Sequence, residues 1–206
     1  MSKILVLATN NKHKVGEISP ILLSATDGGK PLNIELHSAG EFGDFDPDET
    51  GSTLEENALI KANAALTLSQ LWSISDDTGL EVDALDGRPG IYAARYAGEG
   101  CSFADNINKM LGELKGVPLE KRTAKFICVI ALCRPGQPPR TYRAECGGRI
   151  RLEAHGAGGF GYDPIFEVNG LNKTFAQMTL EEKNRVSHRS QAVKLLRADL
   201  VDLLHL

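Results

Sequence analysis

Three groups of residues in this chain have types and spacings that could do chemistry. The first is Asp76-Asp77-Thr78-Gly79, two adjacent carboxylates followed by a hydroxyl and a glycine. A carboxylate pair suits a hard cation such as Mg²⁺, which takes one or two protein oxygens and fills its shell with water and phosphate oxygens. The short apolar segment before it, Leu71 to Ile74, reads as a strand end, and Gly79 would let the backbone turn after the pair. Taken alone, the tetrapeptide reads first as a polar turn. The second group is Thr9-Asn10-Asn11-Lys12-His13-Lys14, which follows the apolar run Ile4 to Ala8. A strand, a polar loop and a helix in succession aim backbone N–H groups at an anion. The Thr and Asn side chains add hydrogen bonds and Lys14 adds charge. No Walker pattern is present, and asparagine also caps helices well, so anion binding and simple capping both stand. The third group is the glycine-rich run Gly156 to Pro164, with Phe160, Gly161, Tyr162 and Asp163. It contains G-x-G-x-x-G, but a dinucleotide fingerprint must open a helix and Asp163-Pro164 disfavours one there. What remains is a flexible backbone presenting two aromatics and a carboxylate, suited to a base-binding wall or to an ordinary hairpin loop.

Several elements must position these groups. Ile4 to Ala8 is apolar throughout, as a strand buried on both faces is. Val15, Ile18, Ile21 and Leu22 then fall at helical spacing. Leu32 to His37 reads as a second strand, followed by an acidic loop, Glu41 to Gly51, with Asp44, Asp46, Asp48 and Glu49, which is either simply solvated or able to bring a further carboxylate to a metal. Ser52-Thr53-Leu54-Glu55 carries a capping-box signature. It opens a helix to about Leu71 with Leu54, Ala58, Ala62, Ala65 and Leu68 on one face and Lys61 near its middle. The run Gly87-Arg88-Pro89-Gly90 forces a turn. A helix starts at Ser102 to Asp105, and Thr123 to Cys133 and Thr141 to Cys146 form a β-hairpin. Thr179 to Lys183 is a short helical turn. A last helix from about Ser190 buries Ala192, Val193, Leu196, Leu200, Leu203 and Leu204, with His188 and Arg189 solvated ahead of it. Strand–helix alternation followed by a hairpin argues for an α/β fold, a mixed sheet flanked by helices.

Composition narrows the function. A chain of 206 residues, 42% hydrophobic and 24% charged, fits one folded domain of one or two lobes. The net charge of −4 supplies no basic field for long nucleic acid, whereas a small anion needs only a local basic pocket. Cys101, Cys128, Cys133 and Cys146 form no C-x-x-C and complete no zinc spacing, so thiols in a reducing compartment are expected. The longest apolar run, Phe126 to Cys133, is eight residues, far short of a membrane span. The expectation is a cytoplasmic protein with no membrane partner.

Together the motifs resemble the inosine triphosphate pyrophosphatase family, which hydrolyses deaminated purine nucleoside triphosphates. The matches are Thr9-Asn10-Asn11-x-x-Lys14, Glu49-Thr50-Gly51 with Glu56-Asn57-Ala58, Asp76-Asp77-Thr78-Gly79, and Pro89-Gly90-Ile91-Tyr92-x-Ala94-Arg95. Gly158 to Pro164 and Glu182-Lys183 with Ser187-His188-Arg189 follow, in the family's order and over nearly the whole chain. Thr78 departs from the Ser that bacterial members often carry but keeps the hydroxyl. The resemblance implies an elongated mixed sheet, two lobes with a central active-site cleft, and a homodimer. It implies Mg²⁺-dependent cleavage of a purine nucleoside triphosphate between the α- and β-phosphates. By resemblance Asp77 accepts the proton and ligates the metal with Glu49 and Asp76. Thr9, Asn10, Asn11, Lys12, His13, Lys14, Lys61 and Thr78 then cradle the triphosphate. Phe160 stacks on the base, and Gly161, Tyr162, Asp163, Lys183, His188 and Arg189 complete the nucleoside pocket. An enzyme of the septum-formation-inhibitor pyrophosphatase group would lack the Ser-His-Arg run. A non-catalytic nucleotide-binding scaffold gives no reason for Glu49 with Asp76-Asp77.

Overall fold

The computed structural model describes residues 2–24 and 32–205. Its elements in order are β1 (Lys3–Leu7), α1 (Lys12–Leu23), β2 (Ile34–Ser38), α2 (Leu54–Ser69), β3 (Trp72–Val82) and β4 (Pro89–Gly90). Then come α3 (Phe103–Glu113), β5 (Thr123–Cys133), β6 (Arg140–Ile150), β7 (Phe166–Val168), α4 (Leu180–Val186) and α5 (His188–His205). The strands join in the order β2-β1-β3-β5-β6-β7, with β4 beside β3. β1 is parallel to β2 and β3, while β4 is antiparallel to β3 and β7 to β6. The mixed sheet with flanking helices is therefore as expected. Among the described residues no helix is long and apolar enough to cross a membrane, and no disulfide joins the cysteines.

The chain forms two compact units. One holds residues 1–77, 128–144 and 189–206; the other holds 78–127 and 145–188. In the first unit, alternation along β1 decides what packs where. Leu5 and Leu7 join Ile18 and Leu22 of α1, Ile74 of β3, and Val193 and Leu196 of α5. Val6 and Ala8 join Ala39, Phe45 and, from α2, Ala65. So α1 and α5 cover one face of this part of the sheet and α2 covers the other. In the second unit Leu80, Met110 and Leu114 pack with three phenylalanines, Phe126, Phe166 and Phe175. Phe166 lies between them, 4.6 Å from Phe126 and 5.2 Å from Phe175 between ring centroids.

Several boundaries differ from those read in the sequence. Asp76, Asp77, Thr78 and Gly79 lie inside the eleven-residue β3 rather than in a turn after it. Their composition argues against a strand, but buried cations described below satisfy both carboxylates in place. α1 begins at Lys12, so Lys12, His13 and Lys14 form its first turn and Asn11 is its N-cap. The α2 cap sits one residue later than expected. Thr53 accepts from the Glu56 N–H, and the Glu56 carboxylate accepts from Ser52. Leu68, expected on the buried face of α2, is 37% exposed. β6 runs on to Ile150, and β7, only three residues long, gave no periodic signal. α5 starts at His188, so His188 and Arg189 open the helix and are buried rather than solvated.

Candidate active site

Adjacent residues on a strand point to opposite faces, and this separates the two aspartates. Asp77 and Ser75 point towards α2. The Ser75 hydroxyl donates to the Ala58 carbonyl, and Lys61 Nζ of α2 donates to Asp77 Oδ1 at 2.6 Å. Asp76 points with Ile74 towards α1 and α5. Its Oδ2 lies 3.1 Å from Lys14 Nζ and 3.1 Å from Arg189 Nε. The Arg189 guanidinium also pairs with Glu17 of α1. At salt-bridge distance Asp76 and Asp77 therefore meet different cations.

Glu49 does meet Asp77, through a shared cation. Lys61 Nζ donates to Glu49 Oε1 at 2.7 Å as well as to Asp77. Two carboxylates from separate elements thus converge on one small positive charge, which stands in for a bound cation. That arrangement fits Mg²⁺, which needs only one or two protein carboxylates. Among the described residues no group of three or more His, Cys, Asp or Glu is placed to hold a metal ion. The acidic loop carrying Glu49 is pinned on both sides. Asn10 Nδ2 donates to the Phe45 carbonyl at 2.9 Å, and Phe45 is itself buried. Beyond Glu49, the Gly51 N–H donates to Asn57 Oδ1 at 2.8 Å. A Cβ at Gly51 would lie 2.9 Å from the Asn57 backbone nitrogen, so no larger residue fits that approach.

The surroundings tune these groups in opposite directions. Burial pushes the Asp77 carboxyl up, helped by Glu49, against the pull of Lys61 and Lys14. Burial works in the same direction on Asp76, but Lys14, Arg189 and Lys61 outweigh it and hold the carboxyl well below the usual range. Burial opposes the charged form of Lys61, yet Asp77 and Asp76 raise it overall. An acid lifted towards neutrality beside one held ionised is the pattern that lets the first exchange protons and the second supply fixed charge.

The other expected residues fall into two sets. In the first unit the Thr9 hydroxyl accepts from the Asn11 N–H, and Asn11 caps α1. Lys12 and His13 are exposed on the first turn. Asn10, expected on phosphate, spends its amide on Phe45. In the second unit Asp163 Oδ2 accepts from the Phe160 N–H at 2.9 Å and from Lys183 Nζ at 2.5 Å. The Lys183 ammonium lies 5.2 Å from the Phe160 ring centroid. Gly159 makes this possible: its φ is +70°, and a Cβ there would lie 2.0 Å from Asp163 Oδ2. No helix opens in this loop, in keeping with rejection of the dinucleotide reading. Tyr162 does not join Phe160 in a wall. Its ring is in the core and its hydroxyl donates to the Ala93 carbonyl at 3.0 Å. The His188 ring stacks on Phe126 at 4.6 Å, also in the core of this unit. Gly161 is open to its surroundings, and Thr78 is half-buried at the start of the unit. Arg189, expected in the nucleoside pocket, belongs to the first unit and to Asp76 and Glu17. Glu17 was missed in the sequence, and Asn57 was named only within the family match Glu56-Asn57-Ala58 with no role. The available signal was a polar residue inside an apolar stripe: Glu17 beside Ile18 on α1, and Asn57 one turn before Lys61 on α2.

Comparison with known proteins bears on the whole chain. The description of the Ham1 family matches residues 5–199. A dITP/XTP pyrophosphatase of Geobacter sulfurreducens is 49% identical over 197 residues, 95% of this chain and 96% of that protein. One from Bacillus subtilis is 44% identical over 195 residues, 94% of this chain and 95% of that protein. The structure of the Staphylococcus aureus Ham1 protein superposes with a TM-score of 0.85 at 41% identity, over 97% of this chain and 99% of that one. A HAM1 protein from Coxiella burnetii gives a TM-score of 0.86 at 38% identity, over the same shares.

Proposed function

This chain belongs to the Ham1 family, and from that premise we propose that it hydrolyses deaminated purine nucleoside triphosphates (ITP, dITP and XTP) to the monophosphate and pyrophosphate. The observation that carries the reading is the Glu49–Asp77 pair sharing one cation, in a chain whose relatives are named dITP/XTP pyrophosphatases. We take the working form to be a single catalytic domain, cytoplasmic and homodimeric, as the resemblance implies.

Phosphoryl chemistry asks a protein for positioning and charge more than for covalent steps. Glu49 and Asp77 would hold Mg²⁺, which when bound neutralises phosphate oxygens and acidifies a water. Lys14 and Lys61 bring positive charge to the triphosphate, and the N-terminus of α1, whose His13 and Lys14 N–H groups Asn11 caps, adds the positive end of the helix dipole. Asp77 accepts the proton of the attacking water, a task suited to a carboxyl raised by burial. Asp76 stays ionised and sets the positions of Lys14 and Arg189. We assign Arg189 this orienting role in place of base reading. Phe160 stacks on the base, and Asp163 and Lys183 fix its ring and loop. A deaminated purine offers an oxygen acceptor at position 6, which the Lys183 ammonium can satisfy. Adenine would set a donor against a donor, which a site built on hydrogen bonds rejects strongly.

The test is pyrophosphate release from dITP, XTP and dATP by the purified chain, with Mg²⁺ and with a chelator. Expected is Mg²⁺-dependent release from the first two and little from dATP. Equal rates on dATP would defeat the substrate assignment, and undiminished rates in chelator would defeat the metal assignment.

A further inference from the structure

The Lys61 ammonium occupies the point where the Glu49 and Asp77 carboxylates meet, and this has a consequence for how a metal gets in. Glu49 Oε1 and Asp77 Oδ1 both lie at ordinary charge-assisted distances from Lys61 Nζ, 2.7 and 2.6 Å. The side chain is largely enclosed, at 11% exposure, so it is no loose surface lysine. We infer that Lys61 is an internal cation which holds the Glu49–Asp77 pair in the nucleotide-free protein, and that a divalent metal binds there by displacing it. The inference rests on the pyrophosphatase reading for the metal and its partner ligand.

The charge balance gives the reason. Glu49 and Asp77 meet Lys61, two carboxylates against one cation, while on the reverse face of β3 Glu17 and Asp76 are balanced by Lys14 and Arg189. A divalent metal added alone would turn the first group positive, with Lys61 displaced yet still close. A triphosphate arriving with the metal changes the balance. It brings several negative charges and gives the ammonium a new partner, within reach of a flexible four-carbon stem. The carboxylates need only close in on the smaller ion, whose oxygen distances are about 2.1 Å. Metal alone should therefore bind weakly, and metal and triphosphate should bind with positive coupling. Linkage makes that coupling reciprocal. Lys61 would then have two stations, on the carboxylates at rest and on phosphate when loaded. That exchange keeps the site closed to free divalent ions until substrate is present.

The experiment measures binding, not turnover. Mn²⁺ is titrated into the full nucleotide-free chain and free ion is counted by electron paramagnetic resonance, for wild type, Lys61→Met and Lys61→Arg. The titrations are repeated with a non-hydrolysable α,β-methylene analogue of ITP. Wild type should bind Mn²⁺ weakly alone and about tenfold or more tightly with the analogue. Lys61→Met should bind Mn²⁺ alone about tenfold more tightly than wild type, with the effect of the analogue reduced to match. Lys61→Arg, which keeps the charge, should follow wild type. If removing the charge exposes too much repulsion for Lys61→Met to fold, Lys61→Gln keeps a polar donor for the carboxylates and serves the same comparison. Folded neutral variants that bind Mn²⁺ no more tightly than wild type overturn the internal-cation inference. If wild type still releases pyrophosphate from dITP, the functional reading survives that result. Tighter Mn²⁺ binding by the neutral variants in a protein that hydrolyses no triphosphate supports the internal cation and sinks the functional reading instead.

Discussion

Replacing Arg189 by methionine tests whether the buried Glu17–Arg189–Asp76 chain of charges is structural in the way its geometry says. The Arg189 side chain is 3% exposed, Asp76 0% and Glu17 10%. Methionine fills much of the volume but leaves two carboxylates without the guanidinium that joined them. Removing one partner of a buried ion pair costs about 3–5 kcal/mol, because the remaining charge stays desolvated. Asp76 keeps Lys14 at 3.1 Å, so the lower part of that range applies, about 3–4 kcal/mol. For a chain of this length each kcal/mol moves Tm by about 2–4 °C, so the variant should melt roughly 6–16 °C lower. Glu17→Gln removes one charge-assisted bond but leaves Arg189 on Asp76, and should cost about 1.5–3 kcal/mol. The double variant should fall short of the sum of the two by about 1–3 kcal/mol, since the groups share a network. Urea unfolding of the four proteins supplies the cycle. Additive losses, or a loss below about 1 kcal/mol for Arg189→Met, would show that the network is not what holds these charges. The same proteins separate orienting from base reading. Loss of Asp76 orientation should lower kcat/KM for inosine and adenosine triphosphates together, whereas a collapse of their ratio would return Arg189 to the base.

Asp77→Asn should leave Tm within a few degrees of wild type while turnover of dITP falls about 10²–10⁴-fold, the usual contribution of a positioned base; wild-type turnover in the folded variant would remove Asp77 from the chemistry. Gly159→Ala must both strain a left-handed backbone and strike Asp163 Oδ2, so it should raise KM and lower Tm more than Gly161→Ala. At Gly161 φ is +61° and nothing lies within 4 Å of a Cβ, leaving only a backbone cost of about 1 kcal/mol; equal effects of the two would deny the Asp163 contact. Stability should fall in acid through Asp76. Its folded pKa is depressed below the unfolded value of about 3.9, so its contribution is full above that value and is lost as pH falls through the folded pKa. Urea midpoints between about pH 2.5 and 6 should drop more steeply for wild type than for Asp76→Asn, and parallel curves would refute the assignment.

Elements with a strong apolar period were legible from sequence. β5 lies where TAKFICVIALC placed it, and the turn at Gly87-Arg88 precedes a strand that pairs with β3. What sequence periodicity could not show was charge buried inside regular structure. Asp-Asp-Thr-Gly reads as a turn because isolated carboxylates are not buried in strands. The partners that reverse this, Lys14, Lys61 and Arg189, lie 62, 16 and 113 residues away along the chain. His188-Arg189 reads as a solvated pair for the same reason, although Phe126 and Asp76 await the two side chains on different sides. Short elements were lost differently. β7 is held by its ladder to β6 and by the packing of Phe166, and three residues carry too little pattern to reveal it.

Adjacency in sequence is thus a poor guide to shared work in a strand. Had Asp76 and Asp77 lain in a turn, both could have faced one metal, and their mutual repulsion would have raised one of them. On opposite faces of β3 each is answered by a different set of cations. Asp76 has Lys14 and Arg189, which keep it ionised, while Asp77 has Lys61 alone at hydrogen-bonding distance and shares it with Glu49. One face therefore carries a fixed negative charge that anchors helices α1 and α5. The other carries a carboxylate whose salt-bridge partner, Lys61, is the one proposed to pass to a phosphate. The two faces still feel each other's charge, since Lys61 also helps hold Asp76 ionised and Lys14 also pulls on Asp77. A single β-strand can in this way give two successive carboxylates different salt-bridge partners and opposite shifts, one held ionised and one raised by burial.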